Sequence, residues 1–266
     1  MSLLSRILTH LSAAGSPGTK SALHLESLEA REVPATVSWR DGLLTVGLVG
    51  DPDHNVTISK QITPHGYVVT VDGEYKHLAG GGKDGTIPAD KVKQIVVNGD
   101  DFANRINVRG VSEVAYHKLD NKVFLYGNGG NDAIYGSAFG DVIYGGANDD
   151  RVEAGGGNDW IFGEGGQDDL RGESGNDILF GGDDKDDLNG GFDNDILFGG
   201  EGDDHLRGST GKDTLVGEGG ADILEGNQGA DKYLRDAADT VYFSPQDGDS
   251  YITTPPVVPT VPKPKH

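Results

Sequence analysis

Residues 181–207 read GGDDKDDLN GGFDNDILF GGEGDDHLR, three nine-residue units in one phase, and that phase holds without insertion or deletion from 127 to 234. Twelve units fit, starting at Gly127, Gly136, Gly145, Ala154, Gly163, Gly172, Gly181, Gly190, Gly199, Gly208, Gly217 and Gly226. Their sixth place is always aspartate: Asp132, Asp141, Asp150, Asp159, Asp168, Asp177, Asp186, Asp195, Asp204, Asp213, Asp222 and Asp231. Two places later stands an apolar residue: Ile134, Ile143, Val152, Ile161, Leu170, Leu179, Leu188, Leu197, Leu206, Leu215, Leu224 and Tyr233. The fourth place varies most, being Gly in eight units but Phe139, Asn148, Asp184 and Asp193 in the others.

Asp followed by x-apolar-x is too short for a helix turn with one buried face. It suits a three-residue strand whose middle side chain points inward. The Gly/Asn/Asp-rich residues between such strands reverse the chain, and glycine supplies the positive φ angles a tight reversal needs. Two units therefore make one coil, and twelve units predict about six coils stacked at roughly 4.8 Å.

Stacking sets each Asp beside the Asp two units on, so that Asp132 meets Asp150 and Asp159 meets Asp177. Bare, such a pair costs on the order of 3 kcal/mol at roughly 5 Å and an effective dielectric of about 20. Carboxylates together with turn carbonyls are hard oxygen ligands, and Ca2+ accepts six to eight of them in tolerant geometry. The twelve sixth-place aspartates are therefore the candidate metal ligands, with units two apart sharing an ion and up to about ten sites in all. Charge agrees: residues 127–234 hold 25 acidic and 6 basic side chains, a net of −19 within the −21 of the whole chain. Without ions the segment has the composition of a disordered chain, so binding and folding are expected to be one event. An acidic Gly/Asp linker that binds nothing is the alternative, but disorder does not require an apolar residue fixed two places after every Asp.

These units resemble the GGxGxDxUx nonapeptide of the repeats-in-toxin (RTX) family, whose repeats form calcium-binding parallel β-structures. The resemblance implies an all-β fold, a right-handed parallel β-roll (β-solenoid), and several bound Ca2+ ions as the cofactor. Near the start, Leu25 to Ala35 reads LESLEAREVPA, similar to an LExLExRxVPA-like motif near the N-termini of large surface proteins of planctomycete bacteria. A short amphipathic helix ended by Pro34 fits the same residues.

A second period is visible on the outward positions. Even units carry Val142 and Tyr144, Trp160 and Phe162, Ile178 and Phe180, Ile196 and Phe198; odd units from the third onward carry mostly polar pairs such as Arg151 and Glu153 or His205 and Arg207. One sheet should thus face water while the other bears an apolar stripe, and contiguous patches of that kind usually mark an interface. Three covers are open: another part of the chain, a homodimer or surface partner gripping Trp160, Phe162, Ile178, Phe180, Ile196 and Phe198, or like side chains stacked on one another.

Around the repeats the chain divides into a leader-like segment (1–35), a β-rich capping region (36–126), the repeat roll (127–234), a degenerate C-terminal cap (235–252) and a Pro-rich tail expected to be extended and unfolded or polyproline-like (253–266). In the capping region, Asp72-Gly73 between two alternating runs signals a hairpin. Gly99 to Asn107 looks like a decayed repeat with Asn104 where the Asp belongs, which would let this region close the first coil. The chain has no Cys and eight His, and His54, His65 and His77 sit at no metal spacing. No HExxH, GxSxG or phosphate-loop motif is present, so no enzyme is expected. The acidic balance argues against nucleic acid, and no apolar run is long enough for a transmembrane segment. The expected function is a secreted or cell-surface calcium-binding protein, with an extracellular adhesion or assembly module as the alternative.

Overall fold

The structure is a computed structural model describing residues 36–40, 43–47, 55–63, 66–71, 74–75, 89, 92–111, 119, 123–244 and 247–262. Expectations for residues 1–35, for His54, His65 and His77, and for the Asp72-Gly73 turn itself lie outside those residues. The hairpin strands are present, with Gly66–Val71 antiparallel to Glu74–Tyr75 and Val71 opposite Glu74.

Each unit supplies one strand, and strands two units apart pair in parallel. On one sheet Ile143 lies opposite Ile161, Ile161 opposite Leu179 and Leu179 opposite Leu197. On the other, Val152 lies opposite Leu170, Leu170 opposite Leu188 and Leu188 opposite Leu206. All twelve apolar residues two places after the aspartates are fully buried, forming two columns that meet between the sheets. A buried Leu or Ile contributes about 1.5–3 kcal/mol, so this inner seam is the main apolar term holding the sheets together.

The result is an all-β parallel solenoid of two eleven-stranded sheets. It has about seven turns rather than the six expected. The surplus comes from the flanks. Gln94–Asn98 pairs in parallel with Val123–Gly129, and Arg105–Asn107 with Ala133–Tyr135, so the decayed repeat around Asn104 completes a coil. At the other end Thr240–Tyr242 stacks on Ile223–Gln228, and Ser250–Tyr251 on Lys232–Leu234. Antiparallel pairing appears at the start of each sheet, where Thr36–Arg40 meets Leu43–Gly47 and Asn55–Thr63 meets Gly66–Val71.

The two outer faces differ as expected. One carries ion pairs, including Arg151–Glu153 at 2.7 Å, Arg171–Asp169 at 3.0 Å and Arg207–Asp187 at 2.9 Å. The other is apolar and buried: Val142, Trp160, Ile178, Phe198 and Val216 form a second cluster outside the sheet. Along its margin Tyr144, Phe162, Phe180 and Phe198 stack ring on ring, 4.7 to 5.0 Å apart and within 11° of parallel, which is the strand spacing imposed on side chains. Residues 257–262 of the same chain lie over this face. After Ile252 the Pro-rich segment runs without regular secondary structure, packs Val258 and Val261 against the cluster, and lines a cleft with Trp160, Ile178 and Ile196. Of the three covers left open by the sequence, the structure thus contains two, the chain's own tail and stacking of like rings; it gives no support to a homodimer or surface partner. No helix among the described residues is long and apolar enough to cross a membrane.

Candidate metal centre

The turn that precedes each Asp is built on two left-handed residues. In eleven of the twelve units the second and fourth places both have positive φ, as with Gly182 (129°) and Asp184 (73°), Gly191 (112°) and Asp193 (76°), or Glu164 (79°) and Gly166 (119°). Asn and Asp enter this region more readily than other L residues, so Asn148, Asp184 and Asp193 keep the turn although they depart from glycine. Only the unit 136–144 has no positive φ at either place.

The turns stack on both edges of the roll and bring the aspartates into two columns. One runs Asp132, Asp150, Asp168, Asp186, Asp204, Asp222; the other Asp141, Asp159, Asp177, Asp195, Asp213, Asp231. Every member is at most 3 % exposed. Within a column the backbone N–H of each Asp donates to Oδ1 of the next: Asp150 to Asp168 at 2.8 Å, Asp168 to Asp186 at 2.8 Å, Asp177 to Asp195 at 2.8 Å and Asp186 to Asp204 at 2.9 Å. One oxygen of each carboxylate is thereby fixed. The other, Oδ2, is buried without a hydrogen-bond partner in eleven residues: Asp132, Asp150, Asp159, Asp168, Asp177, Asp186, Asp195, Asp204, Asp213, Asp222 and Asp231.

Such an orphan costs a domain about 1–3 kcal/mol, and more when it is charged. Burial accordingly pushes the carboxyls up from 3.8, to about 8 for Asp150, Asp186 and Asp195 and to about 7 for Asp132, Asp168, Asp177 and Asp213. The backbone N–H opposes that rise, while neighbouring carboxylates add to it, as Asp168 and Asp204 do at Asp186.

Beside six of the eleven orphan oxygens the first-place glycine leaves open the space a side chain would take. A methyl group built on Gly163 would run into Asp168 Oδ2 and the Gly181 carbonyl oxygen; at Gly181 it would meet Asp186 Oδ2 and the Gly199 carbonyl, and at Gly172, Asp177 Oδ2 and the Gly190 carbonyl. First-place glycine thus opens a small cradle where a carboxylate oxygen of one rung and a peptide oxygen of the next converge. Hard oxygens, net negative charge and no nitrogen or sulfur donor fit a Ca2+ ion. Among the described residues no three His, Cys, Asp or Glu side chains converge on one point. The sequence reading named the carboxylates and the turn carbonyls in general but not these glycine carbonyls; the near-invariant first place was their signal.

The columns extend past the twelve. Below Asp132 stands Asn104, whose N–H donates to Asp132 Oδ1 and whose own Oδ1 accepts from Asp100 N–H at 2.8 Å. Above Asp222 and Asp231 stand Asp239 and Asp249, whose Oδ2 atoms accept the backbone N–H of Asp236 at 2.8 Å and of Ser244 at 2.7 Å.

Residues 126–161, 162–197 and 198–233 each match the family model of the RTX calcium-binding nonapeptide repeat in four copies. Fold and repeat together define the class: residues 126–233 are an array of RTX calcium-binding repeats wound as a parallel β-solenoid. No curated protein and no solved structure matches the chain.

Proposed function

We propose that the protein is a secreted or cell-surface calcium-binding scaffold rather than an enzyme, and that its roll becomes rigid when ions settle in the glycine cradles. The observation that carries this is the set of eleven buried Oδ2 atoms with no hydrogen-bond partner, six of which, those of Asp132, Asp150, Asp168, Asp177, Asp186 and Asp204, lie beside a peptide oxygen of the neighbouring rung. Bound calcium would supply two positive charges per site and take six to eight oxygen ligands. The chain does the rest. The N–H to Oδ1 ladder holds each carboxylate in one orientation, the two left-handed residues present the turn carbonyls, and the apolar columns keep water from the seam. In this reading residues 36–126 and 235–252 cap the two ends. External calcium, being millimolar, favours the folded roll by mass action, whereas scarce cytosolic calcium leaves the chain loose before export.

The test is a calcium titration of the metal-free chain at pH 8, with far-UV circular dichroism and calorimetry on the same sample. Sheet signal should rise with a heat of several ions per chain. A chain that gains no sheet and retains no calcium after dialysis refutes the proposal.

A further inference from the structure

One of the twelve rungs is built differently, and two independent features single out the same one. The unit 136–144 is the only unit lacking left-handed residues at its second and fourth places. Its Asp141 is also the only repeat aspartate whose Oδ2 is not orphaned.

The cause is in the side chains. Phe139 occupies the fourth place, where Gly, Asn or Asp stands elsewhere. A bulky aromatic residue resists positive φ at a cost of about 1–2 kcal/mol, and here it is 8 % exposed and joins the main core instead. The turn closes by another route. Ser137 N–H donates to Asp141 Oδ2 at 2.6 Å, its hydroxyl donates to Asp141 Oδ1 at 2.7 Å, and the same Oγ accepts the Phe139 N–H at 3.0 Å. Asp141 keeps its place in the column, since its N–H still donates to Asp159 Oδ1 at 2.7 Å. The turn is tied to its neighbours by Ala138 N–H to the Val111 carbonyl at 3.2 Å and by Gly156 N–H to the Ser137 carbonyl at 3.0 Å.

We infer that Ser137 and Asp141 form a calcium-independent clasp: the hydroxyl and N–H of Ser137 take the place an ion has on the other rungs, and Asp141 is not a calcium ligand. This rests on the proposed function and narrows it. The orphan oxygens number six in one column and five in the other, so consecutive pairs of them number five and four, nine in place of the ten that twelve equivalent units would give. Because the clasp lies next to the N-terminal cap, the second column starts on a rung that needs no metal. Asn104, neutral and already hydrogen-bonded, gives the first column the same start.

The experiment is calcium calorimetry on the full chain and on its Asp141→Asn and Asp177→Asn variants, each checked for sheet signal at saturating calcium. Asp141→Asn should keep the wild-type ion count, whereas Asp177→Asn should lower it by at least one. An Asp141→Asn count reduced as far as that of Asp177→Asn overturns the clasp alone. Absence of calcium binding by the wild type overturns the proposed function and the clasp with it. A crystal structure of the calcium-loaded wild type decides the matter without relying on variant folding: ion density in the cradle of Asp177 and none at Asp141 is expected, and density at Asp141 overturns the inference.

Discussion

Raising the pH of the metal-free chain should unfold the roll. The folded carboxyls of Asp177 and Asp213 sit at about 7 and that of Asp186 at about 8, against 3.8 for an ordinary Asp, because burial disfavours the charged form. A group whose folded pKa is raised keeps its proton in the folded chain while the unfolded chain releases it. Its stabilising contribution is therefore full below about pH 4, falls steadily above that, and is gone once pH has passed the folded value of about 7 to 8. A rise of about three units is worth about 4 kcal/mol per carboxylate. Total stability for a domain is about 5–15 kcal/mol, so ionising three or four rungs exhausts it, and the transition should be steep because several protons leave together. The assay is far-UV circular dichroism from pH 5 to pH 8 after exhaustive removal of divalent metal, repeated with calcium. Sheet signal at pH 5, its loss by pH 8 and its return on adding calcium at pH 8 are expected. A metal-free signal that stays constant, or grows, between pH 5 and pH 8 refutes the reasoning, since the buried carboxylates would then carry no penalty for ionising. For the same reason calcium affinity should fall as pH drops through this window, where protons compete for the same oxygens.

Replacing Val258 and Val261 by Asp should lift the tail from the apolar face. Trp160, 7 % exposed, would then emit further to the red and quench more readily with acrylamide in a Trp39→Phe background, at unchanged sheet signal; unaltered emission refutes the packing. Leu188→Ala removes the middle of a column between Leu170 and Leu206 and should cost about 2–5 kcal/mol, read as a lower midpoint of thermal unfolding in saturating calcium.

Much of this architecture is legible in the spacing alone. The apolar residue two places after each Asp names the seam, and the return of Asp in every second unit names the columns. What period cannot convey is the chemistry of single side chains. Phe139, Asn148, Asp184 and Asp193 are equal departures from the fourth-place glycine in a pattern, yet three keep the turn and one abandons it, because only the aromatic residue resists positive φ. Ser137 looks like an ordinary second-place residue, as Ser209 does, until its hydroxyl is seen on Asp141. The turn count fell short for a related reason. Asn104 continues the ladder without the charge, and Thr240 stands opposite Ile223 where the strict period would put Val241, so a rigid count stops too soon at both ends. The tail was out of reach altogether, since a Pro-rich segment has no period to say where it rests, although the stripe it covers was plain.

The alternation of the two faces also governs how such a protein can change length over generations. Duplicating a pair of units adds one coil and leaves every later strand on its own sheet. Duplicating a single unit would transfer all that follows to the opposite side, laying Phe180 and Phe198 into line with Arg171 and Arg207 and breaking both the ring stack and the ion pairs. Gene-level growth or shrinkage is therefore quantised in whole coils, each altering the reach of the molecule by about 4.8 Å.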